Sequence, residues 1–205
     1  GVQGRNISHN LGSVPGAIWV KKLNSTGDWN CYHRSLGNTK YIRLDEGLEA
    51  FTGSNRWNNT SPTSTHFTVG DGDRVNSNND TFVAYLFGHD EQSFGEDENA
   101  SVIKCGSYTG NGSSTGPTIN LGWEPQWLLI KNADNTTNWR IVDNMRGIVT
   151  DGADAFLTPD LDEAEWESDK IDLTPTGFKI TASNGDVNEN TNTIIYVAIR
   201  RPDGY

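Results

Sequence analysis

The chain contains the same pattern of residues twice, and this internal repeat is the strongest constraint on its fold. Residues 10–37 match residues 120–147 without a gap after a shift of 110 positions. The matched residues are Asn10, Leu11, Gly12, Pro15, Lys21, Thr26, Trp29 and Gly37, which correspond to Asn120, Leu121, Gly122, Pro125, Lys131, Thr136, Trp139 and Gly147. Each copy of a repeat forms the same supersecondary unit, so the matched residues indicate what the fold needs. The unmatched residues are where function is expected.

Later segments match more loosely and define the extent of each copy. Residues 67–69 correspond to 178–180, and residues 82–84 correspond to 196–198. The sequence therefore predicts two related β repeat units, residues 1–88 and residues 118–205. A connector, residues 89–117, joins them and contains one predicted strand at residues 101–107.

Short apolar runs bounded by turn residues predict strands in both copies. Residues 17–20 and 127–130 each follow a proline and have the composition of a central strand that is buried on both faces. A polar turn and a second strand follow each run, so every copy begins with a hairpin. Short strands at this spacing predict an all-β antiparallel sandwich. We expect Trp29 and Trp139, matched in the repeat, to lie in its core.

Composition excludes several classes of partner. The chain has 205 residues, with 16 Lys and Arg against 27 Asp and Glu, and a net charge of −11. A nucleic-acid-binding surface needs clustered basic residues that displace counterions, so we expect no nucleic-acid partner. No apolar run approaches the length of about 18 residues that would predict a membrane span. The first residues lack the pattern of a signal peptide. The acidic residues, concentrated at 151–172, are expected to form a solvated surface.

The two cysteines are predicted to differ in their relation to the repeat. Cys31 corresponds to Ile141, which predicts that it is a buried, reduced thiol filling an apolar position. Cys105 lies outside the matched segments. A disulfide between Cys31 and Cys105 is the alternative, although two cysteines do not make a disulfide framework.

Two further tryptophans lie in segments that differ between the copies. Trp57 has the polar neighbours Arg56 and Asn58, and Trp166 lies in an acidic segment beside Glu165. Proteins bind sugars by stacking a ring face on the sugar while planar polar groups hold its hydroxyls. These five residues are therefore the predicted ligand-binding residues. The alternative is that each tryptophan folds over an edge of the sandwich.

Two pairs of aspartates are the candidate calcium ligands. Asp71 and Asp73 form one pair, and Asp160 and Asp162 form the other. Carboxylate oxygens suit Ca²⁺, but neither pair has the ligand spacing of a calcium loop. The four histidines show no paired spacing that is typical of a transition-metal site. We therefore expect no metal site and no cofactor.

A catalytic role for the acidic segment is the less favoured hypothesis. Glu163, Glu165 and Glu167 alternate, as residues on one face of a strand do, and glycoside hydrolases use pairs of carboxylates. Acidic residues also occupy the intervening side of this segment, however, and the first copy has no counterpart. We expect no catalytic residue.

The sequence also resembles a known family. Residues 8–15, followed by 28–29 and 32–37, resemble the repeats of large bacteriophage virion proteins, many of which are labelled tail-fibre or lectin-like proteins. The second copy shows the same resemblance at residues 106–112, 120–127, 146–147, 177–179 and 196–202. The resemblance implies a concanavalin-like β-sandwich of the jelly-roll type, located in the phage particle. It supplies no catalytic residues.

These expectations lead to a functional hypothesis with two alternatives. The first is a non-enzymatic virion structural protein at the particle surface, most of all a tail-fibre module that binds a host glycan. The second is a capsid decoration or cement protein that binds only other virion proteins. The third is a polysaccharide depolymerase. Expected partners are other virion proteins, with host surface glycan and a homo-oligomer left open.

Overall fold

The computed structural model describes residues 1–90 and 101–201. Its sheets are antiparallel throughout, so the prediction of an all-β antiparallel protein is confirmed. The chain divides into two compact units. Unit 1 comprises Gly1–Asp45 and Ala50–Ser101, and unit 2 comprises Glu46–Glu49 and Val102–Tyr205. No helix in the described part of the chain is long and apolar enough to cross a membrane.

Unit 1 is built from a five-stranded sheet and a two-stranded sheet. Its strands are β1 (Arg5–Ser8), β2 (Ala17–Lys22), β3 (Asn30–His33), β4 (Lys40–Arg43), β5 (Phe51–Thr52), β6 (His66–Val69) and β7 (Phe82–Phe87). Its helices, α1 (Ser54–Trp57) and α2 (Asp73–Asn76), are one turn long. The large sheet has the order β5-β4-β3-β2-β7, and β1 pairs with β6 in the small sheet.

The core of unit 1 draws side chains from both sheets and both helices. Val20 from the large sheet and Phe67 from the small sheet belong to one apolar cluster. Trp57 from α1 and Val75 from α2 complete it. Burying one face of each sheet against the other is what stabilises a two-layer β structure.

Unit 2 has the same kind of construction with one more strand in each sheet. Its strands are β8 (Ile103–Thr109), β9 (Thr118–Asn120), β10 (Pro125–Asn132), β11 (Arg140–Asp143), β12 (Asp154–Leu157), β13 (Trp166–Ser168), β14 (Ile171–Thr174), β15 (Gly177–Ile180) and β16 (Thr193–Arg200). Its helix is α3 (Gly185–Asn188). The large sheet has the order β13-β12-β11-β10-β16-β8, and the small sheet has the order β14-β15-β9.

The core of unit 2 also lies between its sheets. Leu128 and Phe156 of the large sheet share an apolar cluster with Phe178 and Ile180 of the small sheet. Val187 of α3 joins this cluster, as Val75 of α2 joins that of unit 1. The strand predicted in the connector is β8, and it belongs to the large sheet of unit 2.

The two predicted hairpins form with the same register. Ala17 lies opposite His33 in unit 1, and Trp127 lies opposite Asp143 in unit 2, so both partners keep the shift of 110. The two segments that match in sequence without a gap therefore form hairpins with identical strand pairing. Because a slip of one residue would exchange the faces of the strand, this register is strongly specified by the apolar pattern.

The two matched tryptophans are buried to different extents. Trp139 is 3% exposed, as predicted. Trp29 is only half-buried, with its ring centroid 5.9 Å from that of Tyr85. The Nζ atom of Lys21 lies 5.7 Å from the Trp29 ring centroid. The prediction that both tryptophans lie in the core therefore holds for Trp139 and only partly for Trp29.

The last strands of the units correspond in a way that corrects the looser sequence match. Ala84 lies opposite Val20, and Tyr196 lies opposite Ile130. Since Val20 and Ile130 are equivalent in the repeat, Ala84 takes the place of Tyr196. The sequence match had instead aligned Phe82 with Tyr196, which is wrong by two residues. A shift of two residues keeps every side chain on its original face, and for this reason the sequence pattern did not expose the error.

Both cysteines are buried thiols, and no disulfide joins them. Cys31 is 2% exposed, which confirms the burial predicted from its match with Ile141. Burial raises the pKa of the Cys31 thiol well above its usual value, and the nearby Asp45 carboxylate raises it further.

Candidate functional site

The edge of the large sheet is the place where unit 1 and unit 2 differ most. In unit 2, β16 lies between β10 and β8, and the β8 pairing extends from Ile103 to Thr109. In unit 1, β7 pairs with β2 and has no strand on its other side among residues 1–90 and 101–201. An edge strand presents backbone N–H and C=O groups that can pair with another chain.

A cavity of about 250 Å³ lies beside this edge, inside unit 1. We define it as the β7 groove, and its lining includes Arg5, Ile7, Phe67, Val75, Asp80, Phe82 and Ala84. Its walls come from the small sheet, from α2 and from β7, so apolar side chains and a sheet edge meet in one place. Cavities of this kind on a rigid scaffold are typical binding sites.

Two tyrosines fill the corresponding region of unit 2. Tyr108 lies on β8 opposite Ile194, and its hydroxyl donates a hydrogen bond of 2.7 Å to the carbonyl oxygen of Val187. The Tyr108 ring packs edge-on to Phe178, with ring centroids 6.2 Å apart. Tyr196 packs on the same phenylalanine at 5.5 Å. Phe178 is therefore covered by two aromatic rings.

Unit 1 has a counterpart of the phenylalanine beneath the two rings, which we call the platform. Neither ring has a counterpart in the part of unit 1 that the structure describes. Ile7 lies opposite Phe67 in the small sheet, as Ile119 lies opposite Phe178, so Phe67 is the counterpart of Phe178. Ala84 replaces Tyr196, and no described strand supplies a counterpart of Tyr108. The β7 groove therefore results from missing aromatic volume over a platform that both units share.

Charged groups accompany the apolar wall of the β7 groove. The Nζ atom of Lys22 donates a hydrogen bond of 2.7 Å to the Oδ2 atom of Asp80. The hydroxyl of Ser77 donates to the same oxygen. The hydrogen bonds from Lys22 and Ser77 lower the pKa of Asp80, which keeps this carboxylate charged. Together with Arg5, the groove offers both signs of charge beside an apolar surface.

One ligand-binding prediction is corrected by the structure: Trp57 is not exposed. It is 2% exposed and packs edge-on to Tyr32, with ring centroids 5.9 Å apart. The single turn of α1 directs Trp57 into the core and ends at Asn58, whose φ of 51° is left-handed. Asn58 is half-buried at this turn. A ring enclosed in this way has no face for a sugar.

Arg56 is also committed to the core of unit 1. It is 5% exposed, and its Nε atom donates a hydrogen bond of 2.7 Å to the side-chain oxygen of Asn30. Its guanidinium lies 4.7 Å from the ring centroid of Tyr41. Burial lowers the pKa of Arg56. The structure therefore brings Arg56 and Trp57 together, but as packing residues.

Trp166 is half-buried in unit 2, and its contacts are made by the protein. Its ring stacks on Phe156 at 5.1 Å, and its Nε1 atom donates a hydrogen bond of 3.2 Å to the Thr158 hydroxyl. The cations of Arg140 and Lys170 each lie 5.0 Å from its ring centroid. Glu165 beside it is exposed and is 3.5 Å from Arg146.

Trp166 has a structural counterpart in unit 1 other than Trp57. It lies opposite Phe156, as Phe51 lies opposite Tyr41. Phe51 also stacks on its partner, at 5.3 Å. Trp166 is therefore the counterpart of Phe51 and not of Trp57. The two predicted tryptophans lie in different units and have different structural roles.

The candidate calcium ligands do not form a site in the described residues. Asp71, Asp73 and Asp162 are exposed. Asp160 is half-buried and accepts a hydrogen bond of 3.1 Å from the backbone N–H of Trp139. No group of three His, Cys, Asp or Glu residues that could hold a metal ion occurs in residues 1–90 and 101–201. Asp160 instead fixes the loop before β11.

The β7 groove was not predicted from the sequence. The match that would have indicated it lies just before the last strand of each unit and has a different shift from that of the hairpins. Residues 75–81 and 187–193 share the pattern Val-Asn-x-Asn-x-x-Thr with a shift of 112. This match would have aligned Ala84 with Tyr196 and shown that unit 1 lacks a large ring there.

Comparison with known proteins identifies a family. A family model described as Domain of unknown function (DUF7483) matches residues 1–201. No curated protein matches the chain, and no solved structure matches it. Since the family model covers nearly the whole sequence, the protein belongs to the DUF7483 domain family.

Proposed function

We propose that this protein is a non-enzymatic structural module of a bacteriophage particle and that it binds other proteins of the particle through the β7 groove. The resemblance to virion repeats supports the location. The observation that carries the binding role is the unpaired outer side of β7 among the described residues, beside a cavity whose counterpart in unit 2 is filled. Adding a strand to an exposed edge is a common way for proteins to recognise one another.

The two units are proposed to be related repeats of a concanavalin-like, jelly-roll type of sandwich. The order of strands across the large sheet supports this relation, because β5-β4-β3-β2-β7 in unit 1 corresponds to β13-β12-β11-β10-β16 in unit 2. The identical hairpin register supports it as well. Under this proposal, the strand β8 and the two tyrosines are a closure that unit 2 has and unit 1 lacks.

Binding of host glycan becomes the second candidate. The expected stacking ring of Trp57 is enclosed in the core, and the ring of Trp166 is in contact with Phe156, Arg140 and Lys170. Of the other predicted ligand-binding residues, Asn58 is half-buried and Glu165 is exposed, and neither can supply the ring face that stacks on a sugar. Attachment to virion proteins therefore has the stronger support.

The proposed function is tested in the particle itself. Replacing Ala84 by Tyr in the phage genome fills the β7 groove with the side chain that unit 2 has. We expect purified particles to contain at least about tenfold less of this chain, measured by mass spectrometry. The matched control is Ala164→Tyr, at an exposed position of unit 2. Equal incorporation of Ala84→Tyr and the wild type would contradict the proposal.

A glycan array distinguishes the second candidate. Binding to an array of host-envelope glycans that is lost in Trp166→Ala, with incorporation unaffected by Ala84→Tyr, would favour an adhesin instead.

A further inference from the structure

We infer that the β7 groove binds an extended strand of another particle protein, antiparallel to β7, with an aromatic side chain opposite Phe82 and a side chain larger than glycine opposite Ala84. This inference rests on the proposed function and specifies the chemistry of the partner.

The template for the partner is the chain's own β8. It pairs with β16 in antiparallel orientation over its full length, with Tyr108 opposite Ile194 and Gly106 opposite Tyr196. Residues two apart on a strand share a face. Tyr108 contacts the core of unit 2, so Gly106 lies on the core-facing side as well.

The aromatic requirement follows from the platform in unit 1. Phe82 is the counterpart of Ile194, because they lie opposite the equivalent residues Lys22 and Asn132. A partner residue opposite Phe82 would therefore be placed as Tyr108 is placed, beside Phe67 and Val75. Both residues line the cavity of about 250 Å³, and aromatic side chains are the residues that bury the most apolar surface in such a space.

The second requirement follows from the difference between Ala84 and Tyr196. A Cβ atom at Gly106 would collide with the Tyr196 ring, so only glycine fits on β8 at that position. Ala84 has no ring to exclude a side chain. A glycine opposite Ala84 would leave part of the cavity empty, and empty apolar volume is unfavourable. The partner strand is therefore expected to differ from β8 at this position.

The pairing requirement follows from the exposure of β7. Its residues are half-buried or exposed, whereas five successive residues of β16, Ile194–Ala198, are buried between neighbouring strands. The side chains of Phe82, Ala84 and Leu86 pack partly against the core of unit 1. A strand added to β7 would complete this burial and satisfy the backbone groups of the edge.

The experiment uses peptides derived from β8 as probes. The valine probe has the sequence of Ile103–Thr109 with Cys105→Ser and Gly106→Val, and the glycine probe carries Cys105→Ser alone. A third probe, the alanine probe, adds Tyr108→Ala to the valine probe. Affinity for the whole protein is measured by fluorescence polarisation. We expect the valine probe to bind at least about tenfold more tightly than each of the other two.

A variant of the protein should reverse the preference. Ala84→Tyr recreates the ring of unit 2, so it should bind the glycine probe more tightly than the valine probe. Ala164→Tyr is the matched control and should keep the wild-type preference. Equal affinity of all three probes for the wild-type protein, or an Ala84→Tyr variant that is folded and keeps the wild-type preference, would overturn the inference.

Hydrogen exchange keeps the inference testable if Ala84→Tyr does not fold. In the wild-type protein, the valine probe should slow the exchange of β7 amides and leave those of β16 unchanged. Amides of β7 that are already as protected as those of β16 before the probe is added would show a covered edge and overturn the inference. If no probe binds although Ala84→Tyr lowers incorporation into particles, the strand chemistry is wrong and the proposed function stands. If the probes bind as expected and incorporation is unchanged, the strand chemistry is right and the proposed function is wrong.

Discussion

Strands β7 and β16 end their units in the same place of the sheet, yet their surroundings are different. β16 is flanked on both sides and has five successive buried residues, whereas β7 is paired on one side within the described residues and has none that is fully buried. The difference comes from one additional strand and from Tyr196 in place of Ala84. The hairpin and the small-sheet pairing are the same in both units, so a few changes at one edge distinguish a strand with two neighbours from one with a single neighbour among the described residues.

The buried charges of the two units show a second difference. In unit 1, Arg56 bonds to the neutral side chain of Asn30. In unit 2, Arg140 and Lys170 both bond to Asp186, at 2.8 Å and 2.6 Å. Although burial alone would raise the pKa of Asp186, the hydrogen bonds from Lys170 and Arg140 lower it. The buried guanidinium of Arg56 is thus supported by an amide, whereas the buried ammonium of Lys170 is supported by a carboxylate that it shares with Arg140.

The largest expected effect on stability distinguishes the two tryptophans that were predicted as ligand-binding residues. Trp57→Ala removes a ring that is 2% exposed, and we expect it to lower the free energy of unfolding of unit 1 by about 4 kcal/mol. Trp166→Ala removes a half-buried ring and should cost unit 2 about half as much. Calorimetry with hydrogen exchange assigned to each unit measures both effects. Equal losses would contradict their different burial.

The next largest effect on stability compares two buried asparagines, Asn76 and Asn188, which correspond in the match of residues 75–81 with 187–193. The amide nitrogen of Asn188 lies 2.7 Å, 2.8 Å and 3.0 Å from Ser113 O, Ala182 O and Asn111 Oδ1, which share its two N–H groups, and its oxygen accepts from the Asn111 N–H. Asn76 donates to Val2 O and Gly70 O. Removing a partner leaves buried groups unsatisfied, so Asn188→Ala should cost about 3 kcal/mol and Asn76→Ala about 2 kcal/mol. Urea unfolding of each variant tests the order, and a larger loss for Asn76→Ala would refute it.

A smaller effect tests how β8 closes unit 2. Tyr108→Phe keeps the ring on Phe178 and removes the hydrogen bond to the Val187 carbonyl. We expect a loss of about 1.5 kcal/mol, because that carbonyl is left without its hydroxyl donor. The melting temperature of unit 2 measures it. Tyr85→Phe, at a half-exposed position of unit 1, is the control and should change the melting temperature little. A null effect of Tyr108→Phe would show that the ring alone closes the edge.

The smallest effect compares two lysines that are equivalent in the repeat. Lys131 is fully buried, and burial lowers its pKa to about 8. Its Nζ atom donates to the carbonyl oxygens of Asn132 and Asn135, at 2.5 Å and 3.1 Å. The unfolded chain then binds more protons above pH 8 than the folded chain does. The free energy of unfolding of unit 2 should therefore rise by about 1 kcal/mol between pH 7 and pH 9.

Substitution isolates the contribution of this lysine. Lys131→Met should remove the rise with pH, whereas Lys21→Met, at the half-buried equivalent position in unit 1, should not. Urea unfolding at a series of pH values measures the slope. A slope that survives in Lys131→Met would assign the effect to another group.

The fold could be predicted from the sequence where the signals were local. The apolar runs at 17–20 and 127–130, the proline before each and the polar turn after each determined the hairpins, and their registers agree with the repeat. The two one-turn helices of unit 1 were not predicted, because they lie in polar segments with no apolar period. Burial of Trp57 was missed for the same reason, since its sequence neighbours are polar while its neighbours in space are not.

The candidate site could be predicted only in part, because it is defined by pairing between distant segments. The β7 groove depends on Ala84 lying across from Val20 and on the absence of a counterpart of Tyr108 in the described residues. Neither fact is visible in the residues around β7 alone. The match between residues 75–81 and 187–193 aligns Ala84 with Tyr196, but only the strand register shows that both residues lie beside the small sheet's phenylalanine.

The outer edge of β7, which is unpaired among residues 1–90 and 101–201, also affects how the chain behaves in concentrated solution. Copies of the chain that meet edge to edge would pair without any specific partner, which is the usual hazard of an open sheet. With a net charge of −11, the copies repel one another at low ionic strength. Salt shortens the range of this repulsion to about 8 Å at physiological ionic strength. Colloidal stability should therefore fall as salt is added, and light scattering should increase sooner for the wild type than for a chain whose β7 edge is occupied.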